Sequence, residues 1–255
     1  MGTPVLNVHI EKAGYEEDKS TVENIHFSVN AGEMVGLIGP NGAGKSTTIK
    51  ALLGMLKQFK GQVIFGEREE VQRIKKEESS AHGRGQYAYI PEHPVFYEEL
   101  TLWEHLEMVA RLNQFEGQAF IERATWLVDE FKLTKAMYEK PDSFSKGMQQ
   151  KLMICIALLI QPKLYIVDEP FIGLDPIAMR RLLQLFEEEK KRGAGILLCT
   201  HVLDTAEKIC DRFLLLQEGS LLAQGSLRDI RSHAHLQEGS LMDCFYELIE
   251  GGDRR

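Results

Sequence analysis

The sequence predicts an α/β fold, with a mostly parallel sheet as its core, an N-terminal antiparallel β segment and a helical insert. Three observations carry that prediction. Short apolar runs at "EMVGLIG", "QYAYI", "KLYIVDEP" and "GILLCTH" alternate with stretches of helical spacing. The first of these runs ends in glycine and leads through a glycine-rich stretch into a helix. Ahead of it, Leu6, Val8 and Ile10 share one face, as do Ile25, Phe27 and Val29, which is the two-residue period of half-buried strands.

Each element follows in order. The two opening strands are expected to pair antiparallel around the turn-like "YEEDKS". "EMVGLIG" is an unbroken apolar run and reads as a buried parallel strand. "GKSTTIKALLGML" spaces Ile49, Leu52, Leu53 and Leu56 as a helix does. Residues 67–85 are charged and without period, so they read as an exposed connection with a short helix. "QYAYI" restores a strand before Pro91. From about Glu98 to Ala157 the spacing is helical, with Leu102, Leu106, Val109 and Leu112 as one face. This insert, about residues 92–155, interrupts the sheet as a subdomain. A helix from Ala178 to Arg192 separates the last two core strands. "RFLLLQEGSLLAQG" reads as a hairpin turning at Glu218 and Gly219. One domain over 1–225 and a short helical extension at 226–255 account for the pattern, with the closing "IEGGDRR" frayed.

Composition narrows the function. At 255 residues, 44% hydrophobic and 27% charged, the chain has the make-up of a soluble globular protein. Its net charge of −8, from 38 acidic and 30 basic residues, argues against broad binding to nucleic acid or anionic lipid. Cys155, Cys199, Cys210 and Cys244 show no metal-binding spacing and are expected to be reduced thiols in a cytosolic setting. "MGTPVLNVHIEKAG" has neither a charged leader nor a long apolar stretch, so no signal peptide or myristoyl anchor is expected. The longest apolar run, "LMICIALLI", is too short to span a bilayer, and work at a membrane would need a partner.

"GPNGAGKST" (Gly39, Pro40, Asn41, Gly42, Ala43, Gly44, Lys45, Ser46, Thr47) fits G-x-x-x-x-G-K-[ST] between a strand and a helix. Glycines let backbone N–H groups curve around an anion, and the helix start adds donors and the positive end of its dipole. Lys45 is expected to reach the β- and γ-phosphates of a nucleotide and Ser46 to ligate Mg²⁺. "LYIVDEP" puts Asp168 and Glu169 at the carboxyl end of a buried strand, the ligand side of an open α/β sheet. Asp168 suits the Mg²⁺ shell, through water, and Glu169 suits the attacking water. His201 ends the next strand, where it is either structural or a donor to a γ-phosphate oxygen.

"FSKGMQQK" (Phe144 to Lys151) places a hydroxyl, a glycine and several donors ahead of "LMICIALLI". A helix start of that kind can bind an anion. It can equally be a Ser143 or Ser145 N-cap with a solvated Lys and Gln face. The ordered set of Tyr15, "GPNGAGKST", "IPEHP", "FSKGMQQK", "LYIVDEP", "GLD" and His201 resembles the ATP-binding cassette (ABC) family over nearly the full chain. The resemblance implies a P-loop NTPase (RecA-like) core that binds and hydrolyses ATP with Mg²⁺. It also implies a head-to-tail dimer, with two identical chains expected. Ser145, Lys146 and Gly147 match the family's signature, whose serine and glycine donate to the γ-phosphate held by the other subunit. Tyr15 matches the aromatic that stacks on adenine, and Asp175 a loop crossing the dimer interface near the opposite phosphate site.

Some positions depart from the family's common form. Lys146 and Met148 replace a glycine and a glutamine of the signature, a familiar variant. Glu92 stands where a glutamine is usual; it can still ligate Mg²⁺ but lacks the amide donor, so stronger metal dependence is expected. Phe96, Tyr97, Leu100 and Trp103 either line the groove that receives a membrane subunit or form subdomain core. "EGSLMDCFYELIE", with "SKGM" and "IPEHP", resembles bacterial exporter ATPase subunits, nearest the Ecs type. The implied protein sits at the cytoplasmic side of the plasma membrane through an integral membrane partner, and no nucleic acid is expected. A soluble non-transporter ABC ATPase, such as an iron–sulfur assembly ATPase, is the other reading. So is a nucleotide-binding module that closes on ATP with negligible turnover, against which Glu169 speaks.

Overall fold

The computed structural model describes residues 2–16, 19–66 and 86–252. The first two strands, β1 (Pro4–Gly14) and β2 (Val22–Asn30), pair antiparallel with Ile10 opposite Ile25, as their alternation requires. A third strand, β4 (Gln58–Phe65), joins the free edge of β1 to complete a three-stranded sheet. Sequence reading missed β4, because "QFKGQVIF" buries only Val63 and carries no clean apolar alternation.

The second sheet has six strands. In spatial order these are β5 (Tyr87–Ile90), β6 (Leu164–Asp168), β7 (Gly195–Thr200), β3 (Met34–Ile38), β8 (Arg212–Gln217) and β9 (Ser220–Gly225). All neighbours are parallel except the β8–β9 hairpin, which turns at Glu218 and Gly219, both at positive φ. Every residue of β3, β6 and β7 is buried, which explains their unbroken apolar runs. Helix α1 (Lys45–Leu52) packs between the sheets in one apolar core with Val8, Ile25, Leu37 and Leu197.

A second core joins α2 (Leu102–Leu112), α3 (Gln118–Glu130), α4 (Lys146–Leu159) and α5 (Pro176–Lys191) to the other face of the large sheet. Helix α2 buries Leu102, His105, Leu106 and Ala110. The expected face is corrected at its end: Leu112 is 57% exposed, and Ala110 takes the inward position. Two short helices, 134–136 and 141–143, precede α4, which runs to Leu159, past the expected end of the insert. Helix α6 (Leu203–Ile209), too short to show a period, also went unpredicted. Helices α7 (Leu227–His233) and α8 (Leu241–Gly252) cover β8, β9 and α6 through Ile230, Leu241, Cys244 and Phe245. The tail expected to fray is helical to Gly252, with Leu248 and Ile249 packed on that cluster. The four cysteines are free thiols. The connection expected at 67–85 lies outside the described residues.

Candidate active site

The carboxyl ends of β3, β6 and β7 meet on one side of the sheet, so Gly39, Asp168 and Thr200 leave their strands as neighbours. After Ile38 the chain makes a tight loop. Gly39 has no room for a Cβ, which would fall on the Leu216 carbonyl. Gly44 is left-handed (φ +104) and forms the N-cap of α1 without any side-chain cap. The first amides of α1 therefore have no side-chain acceptor, the arrangement that favours an anion. Lys45 is 6% exposed, and its ammonium folds back to donate to the carbonyls of Gly39 (2.7 Å) and Pro40 (3.0 Å). Tyr15 lies at the outer end of α1. Its hydroxyl is 3.5 Å from Thr47 Oγ1, and the Lys50 ammonium stands 5.2 Å from its ring centre.

The acidic side faces this loop. Asp168 is 4% exposed, and its Oδ1 is buried without a hydrogen-bond partner. Burial raises its pKa, the negative charges of Glu92 and Glu169 push the same way, and hydrogen bonds with Cys199 and Ser46 oppose them. Glu169, 7% exposed, takes a left-handed backbone (φ 46) that costs a non-glycine residue about 1 kcal/mol or more. Its Oε2 accepts from the Thr200 hydroxyl at 3.1 Å, and its Oε1 is 2.6 Å from His201 Nδ1. Both contacts fix the carboxylate in one orientation.

An Mg²⁺ ion fits these residues. Asp168 offers an orphaned carboxylate oxygen beside the Ser46 hydroxyl, and both are hard oxygen donors. Among the described residues no group of three or more His, Cys, Asp or Glu side chains makes a ready cation site. Such an ion would complete its shell with phosphate and water oxygens.

The second motif lies elsewhere. Ser145 caps α4 by accepting from the Met148 amide at 3.3 Å, so the N-cap reading holds for the chain without ligand. Asp175 caps α5 and also pairs with Lys151 at 2.7 Å. Among the described residues no hydrogen bond or ion pair joins Phe144–Met148 to the phosphate loop. Sequence reading gave no site role to Thr200, Cys199, Lys151 or Lys50. Only Thr200 carried a signal, a hydroxyl next to His201 at a strand end.

A bare helix start wrapped by glycines, a folded lysine and a buried acid pair, of which Glu169 is held by His201, define a P-loop nucleotide hydrolase. The profile of the ABC transporter family matches residues 22–172. The chain is 49% identical over 249 residues to the uncharacterized ABC transporter ATP-binding protein YthP of Bacillus subtilis (strain 168), covering 98% of each. It is 41% identical to the ABC-type transporter ATP-binding protein EcsA of the same organism, over 96% of this chain and 97% of the relative. A solved ATP-binding subunit of an ABC transporter superposes with a TM-score of 0.87 at 44% identity, over 96% of this chain and 99% of that one. This chain belongs to the ABC transporter family. It is an ATP-binding, ATP-hydrolysing subunit.

Proposed function

We propose that the chain drives an exporter: it binds MgATP, pairs head-to-tail with a second copy, and hydrolyses the nucleotide to move a separate integral membrane subunit. One observation carries the reading. The Glu169 carboxylate is held by Thr200 and His201 beside the orphaned Asp168 oxygen, at the mouth of the phosphate loop.

The Lys45 ammonium would exchange the Gly39 and Pro40 carbonyls for β- and γ-phosphate oxygens, keeping its N–H donors satisfied throughout. The α1 amides and the Gly39–Gly44 backbone hold the phosphates from below. Asp168 and Ser46 would hold Mg²⁺, with Glu92 near its shell; the ion would neutralise charge developing on the phosphate oxygens. Glu169 is oriented to accept a proton from the attacking water. His201 holds Glu169 through Nδ1; donating to a γ-phosphate oxygen through Nε2 at the same time requires the doubly protonated ring. Tyr15 offers a face for the adenine ring. Ser145, Lys146 and Gly147, with Asp175 nearby, would close on the nucleotide of the partner chain: the Ser145 oxygen accepts from the Met148 amide, and its hydroxyl hydrogen stays available to donate to phosphate.

We assign residues 1–225 to the ATPase domain, with its signature subdomain at about 92–155, and 226–255 to a C-terminal extension. Similarity to EcsA along nearly the whole chain supports an Ecs-like transporter subunit, although YthP is the more similar of the two relatives. Among the described residues no helix is long and apolar enough to cross a membrane. We place the chain at the cytoplasmic face through that membrane partner. Glu169→Gln should hold ATP in the closed pair without turnover. Crosslinking that variant in cells and recovering a polytopic membrane protein supports the transporter reading. Recovery of soluble proteins alone favours an assembly ATPase instead.

A further inference from the structure

Outside the reaction centre, the start of α4 is fastened to the loop before α5 at two points. Gly147, in the first turn of α4, approaches Gly173 so closely that a Cβ on Gly147 would lie 2.5 Å from the Gly173 carbonyl oxygen. Gly173 is itself left-handed (φ +79), a backbone that a side chain would strain. One helical turn after Gly147, on the same face of α4, Lys151 donates to Asp175 Oδ2 at 2.7 Å. The other oxygen of that carboxylate accepts the amides of Ile177 (3.0 Å) and Ala178 (2.9 Å). A single carboxylate thus starts α5 and grips α4. The Lys151 side chain is 14% exposed, against 50% for Asp175, so the lysine lies down along the helix to make this contact.

We propose that Lys151 is a positioning residue for ATP hydrolysis, tying residues 171–175 to the first turn of α4 so that Ser145, Gly147 and Asp175 meet a partner's nucleotide as one rigid piece. This rests on the head-to-tail pairing proposed above. A partly exposed ion pair adds little to folding stability. Its effect lies in geometry, where a misplacement of about 1 Å lowers rates about a hundredfold.

The test is a double-mutant cycle in steady-state ATPase activity of the full chain, using Lys151→Met, Asp175→Asn and the double variant. Asparagine still caps a helix, so Asp175→Asn removes the pairing charge and keeps the start of α5. Each single change should lower kcat about tenfold, with KM for ATP within about twofold. The double variant should be no slower than either, and Lys151→Arg should recover most of the rate. Thermal midpoints should stay close to wild type. Should Lys151→Met fail to fold, Asp175→Asn and Lys151→Arg carry the same comparison. Wild-type kcat in the single variants, or losses that multiply fully in the double, overturns the proposal. Gel filtration of Glu169→Gln with ATP separates the two ideas. A monomer there overturns the pairing and takes the tie's catalytic role with it, whereas a dimer with an additive cycle overturns the tie alone.

Discussion

Helices α1 and α4 both begin at a small residue followed by a lysine, and their first turns are finished differently. At α1 the N-cap is left-handed Gly44 with no side-chain cap, and Lys45 is folded onto its own loop beside buried Asp168 and Glu169. At α4 Ser145 fills the cap and Lys146 is exposed. The first start is left open to an anion and is surrounded by groups able to do chemistry. At the second, Ser145 takes up the Met148 amide, and its hydroxyl hydrogen remains available to donate. The contrast fits the proposed division between a reaction centre built within one chain and a surface that meets the partner chain's nucleotide.

The largest expected effect falls on the first region. Glu169→Gln should lower turnover by about 10²–10⁴-fold while ATP binding persists, read by single-turnover phosphate release and filter binding. Turnover near wild type would remove Glu169 from the chemistry. Mixing two inactive chains then tests whether the regions act in trans. Lys45→Met disables one phosphate loop, and Ser145→Asp repels phosphate at the other helix start while still capping it. Random pairing leaves one intact composite site in half of the dimers, so the mixture should regain about a quarter of wild-type activity. A mixture as inactive as its parts would overturn action in trans.

Smaller effects should have opposite signs in the two regions. Asp168→Asn relieves a buried, partnerless carboxylate oxygen and should raise the melting temperature of the nucleotide-free protein by about 2–4 °C, while removing hydrolysis. Ser145→Ala removes a cap and should lower stability by about 1 kcal/mol. Melting curves with changes of the same sign would erase the contrast. Glu92→Gln should shift the Mg²⁺ dependence of ATPase activity to lower metal concentration by about two- to fivefold, because it removes a negative charge near the phosphates. Superimposable titrations would exclude that role.

The smallest effect concerns acid. Hydrogen bonding with Lys151, foremost, and with the Ala178 amide lowers the Asp175 pKa from 3.8 to about 2. A lowered carboxylate pKa stabilises the folded chain above the unfolded value and loses that contribution as pH falls through the folded one. The contribution of Asp175 should therefore be intact above pH 3.8 and fade towards pH 2. The small stability difference between wild type and Asp175→Asn should vanish over that interval, as acid denaturation curves would show.

Much of this arrangement was legible in the sequence where a motif is contiguous. The phosphate loop, the acid pair, the signature segment and the buried parallel strands each declare themselves over five to ten residues, because backbone geometry or two-sided burial demands a particular run. Leu112 misled, since helical spacing alone does not say where the apolar stripe stops, and Ala110 was small enough to overlook. Strand β4 escaped because an edge strand with one buried side chain has no reason to alternate strictly.

By itself, then, the sequence determined an α/β P-loop ATPase core with an antiparallel β segment and a helical insert, and named the residues proposed for its reaction centre. Tertiary structure alone decided what holds those residues. The parallel register that sets Asp168 against Cys199 also brings Thr200 and His201 onto Glu169, 31 and 32 residues away, and α4 carries Lys151 to Asp175 across 24. Such partners leave no trace in local spacing, because they are chosen by which strands and helices lie side by side.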